Sequence, residues 1–270
     1  MTIDIYYSPF IKKAGEILAK IIAFANQKGG VGKTTSAINV ASALGIAGKR
    51  TLLIDLDPQG NASSGVGVRK STVKQTVYDL IIGRCQATDV VIKTEFKNLS
   101  VIPSGMDLAA AELELAEMEN RQNRIKDAIH KIAADYDYII IDCPPSLGMM
   151  TINALTAANG IVIPMQCEYY SLEGLSQIMM TVKQVKRHYN PSLSLTGILI
   201  TMYNGRLNLS IQVLEELKKH YADKLFSTPI TRNVRLSEAP SYGEPIHYYD
   251  KYAKGAEDYS KIAAEIMERI

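Results

Sequence analysis

One stretch limits the choice of fold more than any other. The apolar run IIAFAN (21–26) passes directly into QKGGVGKTT (27–35), and helix-compatible SAINVASALGIAG follows. Glycines at 29, 30 and 32 let a tight turn bring its backbone N–H groups to one point with no Cβ in the way. A helix starting there adds the positive end of its dipole, so strand, turn and helix together make an anion cradle for phosphate. Lys33 follows the last glycine and Thr34 follows the lysine, the places of the phosphate-bridging ammonium and the Mg²⁺-coordinating hydroxyl in such loops. The common pattern G-x-x-x-x-G-K-[ST] also demands glycine at position 27, where this chain has Gln27, and the loop carries an additional lysine, Lys28.

Two acidic segments complete a constellation. RTLLID (50–55) reads as a buried strand ending on Asp55, and Asp57 lies beyond it in a turn closed by Pro58 and Gly60. YDYIIID (136–142) ends on Asp142 before CPPSLG, the apolar-strand-then-aspartate pattern that holds Mg²⁺ directly or through water. Carboxylates just past strand ends face the crevice where open parallel sheets bind ligands. Three such elements at three strand ends are far more specific than any one alone.

Further short β-rich runs at 99–103, 160–165 and 196–201 alternate with helical stretches at 34–48, 106–134, 148–158, 171–189 and 208–222. The strands are continuously apolar, as expected when both faces are covered. This predicts an α/β P-loop fold, a mostly parallel twisted sheet with helices on both faces. We expect one domain over 21–270, preceded by a short extension over 1–20. In that extension Phe10, Ile11, Ala14, Ile17 and Leu18 suggest a short amphipathic helix after Pro9. Its Lys12, Lys13 and Glu16 interrupt the apolar stretch, unlike a signal peptide.

A formal net charge of +2 excludes a chain that is polybasic throughout, so any nucleic-acid surface must be a local patch. The three cysteines, Cys85, Cys143 and Cys167, are odd in number and widely spaced, which fits a reducing, cytoplasmic setting and no thiolate metal site. No apolar run approaches the roughly 18 residues of a membrane span.

KGGVGKTT, DLDPQGNASSG, DCPPSLG, QCEYYSLEGL and RNVRLSEAPSYGEPI together resemble the ParA/Soj partition ATPases, from about residue 21 to the C-terminus. That family's deviant loop, K-G-G-x-x-G-K-[ST], is satisfied from Lys28 to Thr34. The resemblance implies ATP and ADP as ligands with Mg²⁺, and an ATP-dependent homodimer in which Lys28 reaches the partner's phosphates. It further implies that Asp57 positions the attacking water at the edge of the metal shell of Thr34 and Asp142. Gly29, Gly30, Val31, Gly32, Lys33 and Thr35 would hold the phosphates. The adenine is expected near Thr231 and Asn233, although TRN stands where the family usually reads PRN. Arg206 and Arg235 match positions used for non-specific DNA binding, and a ParB/Spo0J-type protein is the implied partner of a nucleoid-associated protein.

The C-terminal AEDYSKIAAEIMERI has apolar residues at helical spacing, but its polar face carries Glu257, Asp258, Glu265 and Glu268. A membrane-surface helix favours a basic polar face, so this one is expected to pack on the core and no membrane contact is expected. That disfavours a MinD-like membrane-cycling ATPase, one alternative reading. A regulatory scaffold that binds nucleotide without hydrolysing it is the other.

Overall fold

The computed structural model describes residues 19–270, so the expected helix within 1–18 lies outside the described residues. The strands are β1 (Lys20–Phe24), β2 (Thr51–Asp55), β3 (Ile92–Lys93), β4 (Leu99–Ile102), β5 (Tyr138–Asp142), β6 (Gly160–Gln166) and β7 (Ser194–Thr201). They form one sheet in the order β3-β4-β2-β5-β1-β6-β7. All pairs are parallel except β3 with β4. After β1 the chain moves out to β2 on one side and later returns to lay β6 on the other. The β1 exit is thus a switch point where the crossovers diverge and leave a crevice.

Side-chain alternation divides the core in two. Ile22, Phe24, Leu53 and Ile140 point into one layer, which is covered by the helices Lys33–Ile46 and Lys254–Arg269. Ala23, Leu52, Ile54, Ile139 and Ile141 point into the other, beneath helices that include Leu108–Ala116, Met149–Ala157, Tyr169–His188 and Asn208–Tyr221. The C-terminal helix packs as its pattern suggests: Tyr259, Ile262, Ala263 and Ile266 are buried, and the Tyr259 hydroxyl lies 3.0 Å from Ser36 Oγ. Its apolar face is spent on the core. Among the described residues no helix is long and apolar enough to cross a membrane.

Two details depart from expectation. The helix expected over 106–134 is broken: after Leu108–Ala116 the chain takes a left-handed turn at Asn120 (φ 53°), makes one 3-10 turn at Arg121–Asn123 and resumes α-helix at Arg124–His130. Asn153, on the helix behind, spans the break. Its amide donates to Arg121 O (2.8 Å) and its carbonyl accepts from Ile125 N (3.2 Å). β3, too short to signal itself in the sequence, forms an antiparallel edge. The opposite edge is partly capped, since Ile198 exchanges backbone hydrogen bonds with Lys224 O (2.8 Å) and Phe226 N (3.1 Å).

Gly45 shows how closely the covering helix approaches the sheet. A Cβ built there would stand 2.3 Å from Lys97 O, and Gly45 O accepts from Asn98 Nδ2 (3.1 Å). Alanine in place of glycine ordinarily strengthens a helix by about 1 kcal/mol. Here overpacking dominates, and Gly45→Ala is expected to lose about 1–3 kcal/mol in urea unfolding.

Candidate phosphate and metal site

The turn after β1 is held open by ties to its neighbours. Asn26 donates to Pro164 O on β6 (2.8 Å) while accepting from Lys28 N (3.0 Å). Gln166, at the end of β6, donates to Gly30 O (2.8 Å), and Thr201, at the end of β7, donates to Val31 O (2.8 Å). These ties draw loop carbonyls toward the sheet, and the N–H groups of Gly29, Gly30, Val31, Gly32 and Lys33 find no acceptor among the described residues. Gly30 (φ 73°) and Gly32 (φ 82°) occupy left-handed backbone that side chains rarely adopt. What remains is a ring of free donors at the start of the Lys33–Ile46 helix, suited to phosphate oxygens.

Lys33 is buried, and its ammonium donates to Lys28 O (3.0 Å). Burial lowers its pKa below the ordinary lysine value, with Asp142, Cys143 and Asp57 pulling the other way. Lys28 is placed differently. It is part-exposed on the rim, and its ammonium pairs with the carboxylate of Glu168, two residues past the end of β6.

Parallel register sets Asp55 beside Asp142 at the ends of β2 and β5. Asp55 is fully engaged. Its Oδ2 accepts from Ser63 N (2.8 Å) and Ser63 Oγ (2.7 Å), and its Oδ1 accepts from Asp57 N (3.1 Å). Ser63 Oγ in turn accepts from Ser104 N (3.0 Å). The turn carrying Asp57 is thereby clamped, and Asp57 Oδ1 accepts from Gln59 N (2.9 Å). Neither oxygen of Asp142 meets a well-formed hydrogen bond, although the residue is wholly buried. Burial, then the charge of Asp55, pushes the Asp142 carboxyl well above the usual range, with the Thr34 hydroxyl and Lys33 opposing. Burial likewise pushes Asp55 up to about 6 against its hydrogen bonds.

An orphaned buried carboxylate beside a hydroxyl calls for a cation. The donors are all oxygen, which suits a hard divalent ion. Among the described residues no group of three or more His, Cys, Asp or Glu side chains forms a metal cage. Such an ion would take its remaining ligands from phosphate and water, the usual habit of magnesium. Cys143 is no ligand candidate: burial raises its thiol pKa far above the ordinary range, so it stays neutral.

The remaining expected residues lie on the rim. Thr35 is half-buried one position into the helix beyond Thr34, and its carbonyl accepts from Asn39 Nδ2 (2.8 Å). Thr231 bridges to Tyr203, two residues past the Thr201 that braces the loop. Asn233 caps the short helix Val234–Glu238 by accepting from Arg235 N (2.9 Å). Arg206 is exposed and forms no ion pair among the described residues, whereas Arg235 is tied to Glu238 (3.0 Å) and Asp250 (3.6 Å). Sequence reasoning missed Glu168, Gln166, Thr201 and Ser63. The first three share one available signal, their position at or just beyond the C-terminal end of a strand neighbouring the loop.

Free backbone donors and a cation-seeking carboxylate at one switch point define a P-loop nucleotide-binding protein. Comparison with known proteins narrows the class. Residues 19–195 match the AAA domain family. The chain is 53% identical to the sporulation initiation inhibitor protein Soj of Bacillus subtilis over 249 residues, 92% of this chain and 98% of that one. It is 49% identical to the chromosome partitioning protein ParA of Myxococcus xanthus over 252 residues, 93% and 89% of the two chains. Among solved structures, cobyrinic acid a,c-diamide synthase from Mycobacterium smegmatis with bound ADP and magnesium superposes with a TM-score of 0.80 at 34% identity, covering 92% and 93%. A plasmid partition protein from Borrelia burgdorferi bound to AMPPNP does so at 0.80 and 25% identity, covering 93% and 100%. The chain belongs to the ParA/Soj family of chromosome-partitioning ATPases.

The acids make a pH prediction. With its pKa at about 6 in the fold against an ordinary 3.8, Asp55 binds a proton that the unfolded chain has released. Unfolding free energy of the nucleotide-free protein should therefore fall as pH rises through that window. Asp142→Asn removes one of the two neighbouring charges. It is expected to raise the nucleotide-free melting temperature at pH 7 and flatten its pH dependence, while abolishing magnesium-dependent nucleotide retention.

Proposed function

We propose that this ATPase is a dimerising switch: Mg-ATP draws two copies face to face, the pair binds DNA without sequence preference, and a ParB/Spo0J-type protein stimulates a slow hydrolysis that releases it. The observation that carries the reading is the division between the two loop lysines. Lys33 is buried among the acids, within reach of its own cradle, whereas Lys28 stands on the rim with its ammonium held outside that cradle by Glu168. A lysine so placed serves a second nucleotide better than its own. Two facing triphosphates would otherwise repel strongly in a drying interface.

In this reading the N–H groups of Gly29 through Lys33, with Thr35, bind the phosphates, and Lys33 bridges the terminal pair. Thr34 and Asp142 would hold magnesium, which would supply positive charge against the phosphates. Asp57, at the edge of that shell, orients water for attack on the terminal phosphoryl group, producing ADP and phosphate. Its backbone is fixed by Asp55, so its carboxylate is presented without reorganisation. Thr231 and Asn233 flank the base. The names of the relatives, Soj and ParA, support the partition role.

Sedimentation with a non-hydrolysable ATP analogue tests the core claim. Lys28→Ala is expected to bind nucleotide and remain a monomer; a dimer formed as readily as wild type overturns the reading. Asp57→Ala is expected to accumulate as dimer on ATP, with phosphate release slowed about 100-fold or more.

For DNA, Arg206→Glu should weaken binding of the ATP form and reduce the salt slope by about 1, since each phosphate contact releases counterion. Arg235→Glu should weaken it less, because Arg235 must first leave Glu238 and Asp250. Fluorescence anisotropy across a salt series checks both.

A further inference from the structure

Glu168 spends its carboxylate in an unexpected direction. It occupies the N-cap of the helix Tyr169–His188 yet makes no capping hydrogen bond there. A carboxylate at a helix start ordinarily turns back toward the free N–H groups and the positive dipole end. Here it reaches instead across 140 positions of sequence to Lys28. Both partners are held in place by backbone ties. Asn26 links the start of the loop to Pro164, Gln166 links the end of β6 to Gly30, and Glu168 N donates to Gln166 O (2.9 Å). The contact thus joins two braced segments rather than two wandering side chains.

We propose that Glu168 is a positioning residue that stores the Lys28 ammonium within its own protomer, and so sets the protein concentration at which two copies close on nucleotide. The inference rests on the reading of Lys28 as a lysine that acts on the partner's phosphates. One ammonium has two claimants: a nearby carboxylate in the lone protomer and a more highly charged phosphate group in the pair. Closure exchanges the first for the second. Both side chains retain solvent, 37% exposed for Lys28 and 50% for Glu168. A pair of that exposure is weak, equivalent to about two- to fivefold in an equilibrium constant. Dimerisation breaks one such pair in each protomer, so the effects multiply to roughly four- to twenty-fivefold in the dimer dissociation constant. Glu168 is therefore a threshold device, strong enough to keep nucleotide-loaded chains apart when dilute and weak enough to yield when they are concentrated.

Glu168→Gln keeps the shape and an acceptor oxygen but removes the charge. In the full chain with a non-hydrolysable ATP analogue, sedimentation should show the dimer forming at roughly four- to twenty-fivefold lower protein concentration. Nucleotide affinity measured well below the dimerisation range should not change. A second measurement reads the lone protomer directly: the rate at which an amine-reactive acetylating reagent modifies Lys28 without nucleotide, followed by peptide mass spectrometry. That rate should rise about two- to fivefold in Glu168→Gln while neighbouring lysines keep theirs. An unchanged Lys28 rate, or a dimer constant equal to or weaker than wild type, overturns the proposal. Because Lys28→Ala tests the dimer reading separately, a failure of Glu168→Gln beside a monomeric Lys28→Ala condemns the storage idea alone.

Discussion

Like charges packed at the end of a parallel sheet are the constraint on which the rest of this structure depends. β2 and β5 run side by side in register, so their terminal aspartates, Asp55 and Asp142, must be neighbours in a place without water. One of them accepts three hydrogen bonds, and the other is left with nothing adequate. The arrangement destabilises the fold taken alone and becomes favourable only when positive charge arrives. Lys33 supplies part of that charge at the cost of its own burial, and a divalent ion with phosphate would supply the rest. The bound state is in this sense the completed structure.

The surrounding hydrogen bonds serve that end in two different ways. Those from Asn26, Gln166 and Thr201 shape the loop by occupying its carbonyls or its entry, so that donors remain for a ligand. Those from Ser63 and Ser104 stabilise a turn, fixing where Asp57 stands relative to its neighbours. The first group leaves the loop's donors open, and in the proposed reaction the second would fix where Asp57 presents its carboxylate. Each works through backbone held by side chains from distant strands, so local sequence around either segment says little about its rigidity.

Much of this architecture was legible beforehand, and the reasons it was are physical. Continuous apolar strands ending on glycine or aspartate mark buried parallel pairing and place the crevice, and the register sets Asp55 and Asp142 side by side at the sheet end from which the loop leaves. The acidic polar face of the C-terminal helix marks it as a core-packing helix, and its apolar face is buried. The break at Asn120 was not readable, because it is sustained by Asn153 from another helix. β3 was too short to carry a pattern. Glu168 was invisible as a partner for Lys28, since nothing in QCEYYSLEGL distinguishes a glutamate that caps its helix from one that reaches for a lysine 140 residues away.

The sheet's two margins carry a consequence of their own. On one side it ends in an antiparallel strand of two residues, and on the other Lys224 and Phe226 occupy backbone groups that β7 would otherwise offer. Unsatisfied strand edges are the usual templates for end-to-end polymerisation. With both blunted, strand addition offers little to hold a third chain. In the dimer proposed above, contact would instead run through the loop-bearing rim, and a rim used symmetrically closes after two molecules, a countable particle instead of a filament.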